Sequence, residues 1–420
     1  HIGDTITLFK INTLGTVLGT YKIKPSPANT RLDAIMIDNN GLVVVLGNIQ
    51  GTSGGQGFIF QYDPGPGVVN WFSQTAAIDA ITYLDMSETN GRYYLVSGEV
   101  RTTGYYSGLI MQINRNGGGT SPGTEFLAGG LETPLAMQLS GSTIYTAGRY
   151  ALGGGSNGFR ASLSRFNSAT FAHNGSNYYL TPAPPVGGAR TYSNDILIDG
   201  NRAVMVGNGD DNAATYAFEN LHITKVKTSD GSIDWSRKYD VSGSVLAGAL
   251  SQIRLDNFRH YAVMGFAVNQ STQALEKARL WSVDPANGDV LWNRQYNLYR
   301  RTTNTGSAYE YGFTVAGIYT YAVGQSSTTG ITKGVFLKVN SSNGNVVNID
   351  GTSCYDTVRI KKSKYTFADS VHLTFLNPPY QNKNKKEKAH TTTINDSLVC
   401  GGSTSPCHCF FGLLVDGGAI

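Results

Sequence analysis

Carboxylates near the start of repeated strands are the residues in this chain that best suit chemistry. Asp33, Asp79 and Asp195 each precede the first strand of a repeat, so they would converge if the repeats surround one axis. Paired carboxylates on such an axis are the groups that hydrolyse glycosidic bonds. Turns that lead into strands explain the same residues more simply, and we favour that interpretation.

Other catalytic patterns are absent from the sequence. None of the seven histidines belongs to a Ser/His/Asp or HExxH arrangement. Residues 209–212, Gly-Asp-Asp-Asn, offer oxygens to Ca²⁺ but lack the full alternating carboxylates of a calcium loop, so a solvated loop is favoured there. We therefore expect no metal or cofactor, with Ca²⁺ at this loop as the alternative, and we lean against an enzyme.

Two pairs of tyrosines and a group of lysines are the candidate binding residues. Paired tyrosines in or near long variable loops suit glycan or protein contacts, although they are equally compatible with loop packing. The lysines suit an acidic partner or polyanion, although a solvated loop is the favoured interpretation. The candidates are Tyr105, Tyr106, Tyr178, Tyr179, Lys383, Lys385, Lys386 and Lys388.

The net charge of +4 is concentrated in one segment. Residues 361–388 contain seven Lys, one Asp and one Glu, which leaves 26 basic and 27 acidic residues elsewhere. This balance argues against a nucleic-acid surface. The longest apolar runs have the length of a strand, so no transmembrane segment is expected. The low charged fraction, 15%, and the abundant tyrosine are typical of secreted proteins.

The four cysteines lie within the last 67 residues. An even number confined to one region favours local disulfides in an oxidising compartment. Free thiols are the next alternative, and a metal site is less favoured because the spacing fits no strong zinc pattern. The disulfide candidates are Cys354, Cys400, Cys407 and Cys409.

These residues belong to a repeat of short strands. Seven apolar strands end in glycine, and the first six glycines are 51, 50, 59, 58 and 59 residues apart, with a last gap of 77. Another strand precedes each glycine strand, and two more follow it in most copies. Four strands per repeat without helical periodicity predict one blade of a β-propeller, with a solenoid as the competing architecture. The glycines are Gly47, Gly98, Gly148, Gly207, Gly265, Gly324 and Gly401.

The two chain ends are expected to share one blade. Residues 5–11 and 16–23 match the third and fourth strands of a repeat, and residues 390–404 match the first and second. The sequence therefore predicts seven four-stranded blades; eight blades, or a fragment of a longer chain, are the alternatives because residues 409–418 resemble another third strand. The expected divisions are a propeller at 1–349, an inserted lysine-rich loop region at 350–389, and closing strands with a Cys-rich end at 390–420.

A Gly-x-x-x-Trp motif recurs in the fourth strand. Because its tryptophan recurs at one position of the repeat, we expect it to pack between blades; a platform on which sugars stack is the less favoured alternative. Two copies extend the motif to Trp-x-Arg-x-Tyr, ending at Tyr239 and Tyr296. The motif resembles the repeats of PQQ-like propellers and, more closely, those of secreted Bacteroidetes surface proteins, over residues 5–349 and 390–404. The copies are Gly67/Trp71, Gly231/Trp235 and Gly288/Trp292.

This resemblance implies an extracellular or cell-surface protein exported by the type IX secretion system, although the chain shows no C-terminal sorting domain. It lacks the adjacent cysteines of the quinoprotein dehydrogenases. We expect a non-catalytic propeller that acts as a structural, adhesive or protein- or glycan-binding module of a bacterial surface assembly. The alternative is a polysaccharide-active enzyme with its site in the central funnel.

Overall fold

The computed structural model of the 420-residue chain consists, where it is described, of strands and short turns. Among the described residues there is no helix long and apolar enough to cross a membrane. The structure describes residues 6–11, 17–23, 30–51, 54–74, 81–89, 91–100, 106–116, 120–126, 131–151, 159–179, 190–210, 220–241, 245–269, 276–300, 312–328, 331–347, 355–356, 360–364, 388–389 and 413–415.

Most strands form antiparallel sheets of four neighbours in chain order. An N-terminal hairpin contains β1 (Ile6–Ile11) and β2 (Val17–Ile23). Blade 1 contains β3 (Thr30–Ile37), β4 (Val43–Gly51), β5 (Gly54–Asp63) and β6 (Val68–Gln74). Blade 2 contains β7 (Ile81–Thr89), β8 (Arg92–Val100), β9 (Tyr106–Asn114) and β10 (Thr120–Phe126). Blade 3 contains β11 (Leu131–Ser140), β12 (Thr143–Ala151), β13 (Phe159–Asn167) and β14 (His173–Tyr179).

The second half of the chain repeats this pattern. Blade 4 contains β15 (Arg190–Asp199), β16 (Arg202–Asp210), β17 (Asn220–Lys227) and β18 (Ile233–Val241). Blade 5 contains β19 (Val245–Leu255), β20 (Tyr261–Asn269), β21 (Glu276–Val283) and β22 (Val290–Arg300). Blade 6 contains β23 (Gly312–Ala316), β24 (Tyr319–Thr328) and β25 (Ile331–Asn340), and a bridge between Val339 and Val346 marks its fourth strand.

The all-β propeller predicted from the repeats is confirmed. The described residues form six blades, and β1 and β2 supply a third and a fourth strand in front of blade 1, as expected for a blade shared between the chain ends. Residues 390–404, predicted to complete that blade, lie outside the described residues, so the seven-bladed ring stays a prediction. At the open edge of β1, Leu413–Val415 forms a short parallel strand, β29.

Apolar clusters fill the boundaries between successive sheets. Alternate residues of each strand face opposite neighbours, because strand side chains alternate between the two faces. Val204 and Val206 of blade 4 thus pack with Trp281 and Val283 of blade 5. The hairpin packs on blade 1 in the same way, through Leu8 and its neighbours. Each blade is therefore held mainly by the blades on either side of it.

The first strand of each blade is innermost, and five of these strands carry a β-bulge at the same place. The extra residue in β15 is Asn194, because Ser193 lies opposite Gly207 and Asp195 lies opposite Val206. A Cβ on Gly207 would overlap the Tyr192 carbonyl oxygen and lie 2.7 Å from its carbon. Gly207 thus makes room for the backbone of the bulge, and Gly148 does the same in blade 3, as glycine does where two backbones approach closely.

The recurring tryptophans join one blade to the next, which confirms their predicted packing role. The Trp71 indole donates to the Arg115 carbonyl at 2.8 Å, Trp235 to Pro285 at 3.0 Å and Trp292 to Ser341 at 2.8 Å. The acceptor is always the first turn residue after the third strand of the following blade. These bonds satisfy turn carbonyls that the boundary would otherwise bury without a donor.

Where the tryptophan is missing, another side chain reaches the same carbonyl. Gly175 stands at the tryptophan position of β14, and the guanidinium of Arg165 from β13 donates instead to the Thr228 carbonyl at 3.0 Å. In the N-terminal hairpin the Tyr21 hydroxyl lies 3.5 Å from the Pro64 carbonyl oxygen. This shared contact supports the placement of β1 and β2 as third and fourth strands.

A tyrosine at the end of the motif makes a second bond between blades, and its loss should be measurable. The buried Tyr239 hydroxyl donates to the Gly288 carbonyl at 2.8 Å. We expect Tyr239→Phe to lower the free energy of unfolding by about 1–2 kcal/mol, because the buried carbonyl loses its donor. Urea titration measures this change. The control, Tyr145→Phe, removes a hydroxyl from a half-buried ring in β12; equal losses in both variants would contradict the role of the bond.

Short strands from the inserted lysine-rich loop region, residues 350–389, lie along the outer edges of three blades. Residues 355–356 (β26) pair with β22, residues 360–364 (β27) with β18, and residues 388–389 (β28) with β6. Each partner is the fourth, outermost strand of its blade. The added strands therefore pair with edges that would otherwise expose unpaired backbone groups.

Candidate functional site

Two aspartates occupy equivalent positions on innermost strands. Asp85 of β7 and Asp195 of β15 each directly follow the extra residue of the bulge, opposite Val96 and Val206. The corresponding residue is Ala34 in blade 1, and Gln252 takes this place in blade 5. The extra residue of the bulge shifts the alternation of side chains between the two faces of the strand by one. The polar residues that follow it therefore occupy equivalent positions in their blades.

Both aspartates bind backbone amides of two blades. Asp195 accepts from the Ile196 amide of its own strand and from the Ile253 amide of blade 5, both at 2.8 Å. Its second oxygen also accepts from Arg254 at 2.8 Å. Asp85 accepts in the same way from the Met86 amide and from the Met137 amide of blade 3, both at 2.8 Å.

Glutamine side chains make the comparable contacts at two other boundaries. The Gln138 amide oxygen of blade 3 accepts from the Ile198 backbone amide of blade 4 at 2.5 Å. Gln252 of blade 5 accepts from the Phe313 amide of blade 6 at 2.9 Å. From blade 2 to blade 6, each innermost strand is thus bonded to the next by a polar side chain.

The pKa of Asp85 at the ring centre is strongly shifted. Burial raises the pKa of Asp85 to about 7, and the negative charge of Asp195 adds to the increase, while the two amide bonds and Arg254 oppose it. A carboxyl group whose pKa lies near neutrality can act as a general acid. Here, however, each oxygen of Asp85 already accepts a backbone N–H.

The structure only partly matches the aspartates selected from the sequence. Asp195 lies within its strand and in the ring centre, whereas Asp33 is the extra residue of the bulge in β3 and accepts from Asn48 at 2.5 Å. Asp79 lies outside the described residues. Asp85, the partner of Asp195, was missed; counting back from the apolar run before each repeated glycine to the bulge would have located it.

A second polar group is buried in blade 3 and contains one of the predicted tyrosine pairs. The Ser164 hydroxyl oxygen lies 2.5 Å from Glu132 Oε1 of β11, and the Tyr178 hydroxyl lies 3.5 Å from the other carboxyl oxygen of Glu132. Tyr179 donates to the Gly231 carbonyl at 2.9 Å. Both tyrosines, predicted to lie in or near a loop, are buried side chains at the end of β14. A ligand-binding role for them stays a prediction.

The remaining predicted site residues are mostly outside the described part of the chain. Tyr106 lies at the start of β9 and Lys388 in β28. Asp210 ends β16, and residues 211–212 of the candidate Ca²⁺ loop are outside the description. Within the described ranges, no group of three or more His, Cys, Asp or Glu residues could hold a metal ion. The residues outside are Tyr105, Lys383, Lys385, Lys386, Cys354, Cys400, Cys407 and Cys409.

A buried histidine supports the bulge of blade 4 and should make the fold sensitive to acid. His222 donates from Nε2 to the Tyr192 carbonyl at 2.8 Å, and burial lowers its pKa to about 4. The unfolded chain takes up this proton near pH 6.5 and the folded chain does not, so stability falls as pH drops from about 6.5 to 4, by up to about 3 kcal/mol.

His222→Gln should remove this contribution. Between pH 6.5 and 4, we expect the free energy of unfolding of this variant to depend less steeply on pH than that of the unmodified protein. The slope should decrease by up to the amount that the uptake of about one proton on unfolding produces. Urea titrations across that range measure both slopes. An unchanged slope would contradict the assignment, whatever the absolute stability of the variant.

No family model matches the chain, and no curated protein matches it. Among solved structures it is similar to a protein assigned as a 6-phosphogluconolactonase from Bacteroides fragilis, with 12% identity, a TM-score of 0.41, and coverage of 86% of this chain and 98% of that one. It is also similar to a neuraminidase-like protein of a little yellow-shouldered bat isolate, with 11% identity, a TM-score of 0.35, and coverage of 66% and 89%. These values carry no functional assignment to this chain.

Proposed function

We propose that this chain is a non-catalytic β-propeller that serves as a binding or structural module of a bacterial cell-surface assembly. The observation that carries the proposal is the use of the central carboxylates. Both oxygens of Asp85 and of Asp195 accept backbone amides, one in their own blade and one in the next. Groups that hold the ring together in this way are not available to protonate a substrate or activate water.

The outer edges of the blades support the same function. The fourth strands of blades 1, 4 and 5 accept additional short strands by backbone pairing. Addition of a strand to a sheet edge is a general mode of protein recognition. The resemblance of the Trp-x-Arg-x-Tyr repeats to secreted Bacteroidetes propellers adds the proposed location, on the cell surface. The proposed partners are a surface protein complex or a glycan.

A combined test of binding and hydrolysis distinguishes this function from catalysis. The full chain is incubated with a panel of polysaccharides, and reducing ends are measured in parallel with retention on the same immobilised glycans. We expect no new reducing ends, together with binding to a glycan or to a cross-linked surface protein on native cells. Catalytic turnover would overturn the proposal, and so would the recovery of only free monomer from native cells.

One observation favours an enzyme as the second candidate. Asp85, with its pKa raised to about 7, and Asp195 lie close enough to influence each other at the ring centre. A glycoside hydrolase uses two carboxyl groups, one of which has its pKa raised so that it can donate a proton. If the chain is such an enzyme, Asp85→Asn and Asp195→Asn should each abolish product formation in the polysaccharide screen. Activity that persists in both variants would exclude the ring centre as its site.

A further inference from the structure

Hydrogen-bonded side chains cross blade 3 from its innermost to its outermost strand. The Ser164 hydroxyl of β13 lies 2.5 Å from Glu132 Oε1 of β11. Ser164 and Ser176 of β14 have their hydroxyl oxygens 2.6 Å apart, and Ser176 Oγ lies 2.7 Å from His173 Nε2. All three distances are those of hydrogen bonds. Three consecutive bonds therefore connect a carboxyl group with an imidazole.

The two ends of this chain differ in their access to water. Glu132 is 3% exposed, and Ser164 and Ser176 are 0% and 1% exposed. His173, at the start of β14, is half-buried and packs at a tilt against Phe166, with ring centroids 5.0 Å apart and an interplanar angle of 44°. Solvent therefore reaches the imidazole end of the chain, while the carboxyl end is enclosed.

The three bonds can be arranged in two complete ways, because each serine hydroxyl donates once and also accepts. In one arrangement protonated Glu132 donates to Ser164, Ser164 to Ser176, and Ser176 to neutral His173. In the other, protonated His173 donates to Ser176, and the bonds run back to ionised Glu132. In passing between them the Glu132 O–H bond breaks, the His173 Nε2–H bond forms, and each serine gives up one proton and receives one.

We propose that Glu132, Ser164, Ser176 and His173 form a proton relay through which the buried Glu132 carboxyl exchanges its proton with solvent. The relay gives this propeller an acid–base group separate from the aspartates of the ring centre. It does not depend on the proposed binding function, since it uses side chains inside one blade.

The surrounding charges favour the neutral arrangement at rest. Burial raises the pKa of Glu132, and the hydroxyls of Ser164, Ser162 and Tyr178 oppose the increase. Burial also lowers the pKa of His173 to about 4, with the positive charge of Arg165 acting in the same direction.

Two more titratable groups face the carboxyl end of the relay. The ring of Tyr150 lies 4.1 Å from that of Tyr178, and both burial and Glu132 raise the pKa of Tyr150. Burial lowers the pKa of Arg160, and Tyr150 opposes that change. Burial and the charge of Glu132 keep Tyr150 and Tyr178 protonated near neutral pH, so the proton that moves belongs to Glu132 and His173.

The tautomer of His173 provides a test in the unmodified protein. The resting arrangement requires a proton on Nδ1 and an unprotonated Nε2 that accepts from Ser176. Nitrogen NMR of the full chain at pH 6 distinguishes this tautomer from the other one. We expect the Nδ1–H form. A neutral imidazole with its proton on Nε2 at that pH would overturn the proposal, because Ser176 would then have no acceptor at His173.

Exchange of the Glu132 proton with deuterium tests the path itself. The infrared carbonyl band of protonated Glu132, identified by its loss in Glu132→Gln, shifts after mixing with D₂O. We expect Ser176→Ala to slow this shift by about a hundredfold, the scale of a lost positioned proton donor. Ser162→Ala is the matched control, because it removes a hydroxyl that bonds Glu132 outside the relay, and it should exchange as fast as the unmodified protein.

A second variant keeps the test decisive if Ser176→Ala does not fold. His173→Phe retains an aromatic ring beside Phe166 but removes the nitrogen at the solvent end. It should slow exchange to a similar extent. Exchange at the unmodified rate in either folded variant, or the absence of any band assignable to protonated Glu132 at pH 6, would overturn the relay.

Discussion

Gly207→Ala is expected to destabilise the propeller by about 3 kcal/mol or more, which is large for the addition of one methyl group. The added Cβ would overlap the carbonyl oxygen of Tyr192 and lie 2.9 Å from the Cα of Ser193. These are backbone atoms of a bulged strand that His222 also holds in place. They cannot move aside as a flexible side chain can, so the bulge itself must shift. Urea titration of the variant measures the loss.

Gly312→Ala provides the matched control for this prediction. Gly312 also lies in an innermost strand, β23, but a Cβ there would have Gln252 Oε1 as its nearest neighbour, at 4.0 Å. We expect a change within about 1 kcal/mol for this variant. Comparable losses in the two variants would show that any added side chain in a strand of this ring is costly, and would refute the specific role of the bulge.

The repeat of glycines could be read from the sequence, but its cause could not. Spacing alone predicted the strands and the blades, because each glycine ends an apolar run. The register adds that the residue equivalent to Gly207 in blade 2 is Ser97, opposite Tyr83, and Gly98 lies one position later. A bulge moves one strand relative to its partner, and an apolar pattern does not reveal which residue is extra.

The contacts between blades could likewise be predicted only in part from the sequence. Recurrence predicted that the tryptophans pack between blades, since a repeated position in a repeated fold indicates a repeated contact. The replacement of one tryptophan by Arg165 was not predictable, because the arginine comes from the neighbouring strand and reaches the Thr228 carbonyl through the space left by Gly175. Such substitutions conserve the acceptor and change the donor, so only the three-dimensional register reveals them.

The candidate site could also be predicted only in part, because the sequence does not reveal the position of the bulge. Placing aspartates on the ring axis required only the order of the strands, and Asp195 is there. Predicting that Asp85 joins it, and that both bind amides of the next blade, required the position of the bulge. The same limit applies to Tyr178 and Tyr179, predicted to lie in or near a loop, because β14 lacks the tryptophan that marks three other fourth strands and its sequence does not identify it as a strand.

Asp85→Asn is expected to change how the stability of the propeller depends on pH. Asp85 has its pKa raised from 3.8 to about 7 in the folded protein. An acid that binds its proton more tightly when folded contributes stability below the unfolded pKa, and this contribution is lost as pH rises through the folded pKa. At about 1.4 kcal/mol per pKa unit, the loss between pH 4 and pH 8 is at most about 4 kcal/mol.

The asparagine variant has no such titration, but it loses an acceptor. Its single amide oxygen can accept from the Met86 or the Met137 amide and not from both. We expect the variant to be less stable than the unmodified protein by about 1–2 kcal/mol at pH 5, where Asp85 is protonated. The difference should narrow or reverse by pH 8, where the unmodified protein carries the buried charge beside Asp195. Urea titrations at these two pH values measure both differences.

The corresponding change at Asp33 is the control, because this residue lies at the bulge of blade 1 and accepts from the Asn48 side chain. Asp33→Asn should leave the difference between the two pH values close to that of the unmodified protein. If Asp85→Asn instead gives the same deficit at pH 5 and pH 8, Asp85 carries its charge throughout that range. Asp85 could then not supply the proton that the hydrolase alternative requires.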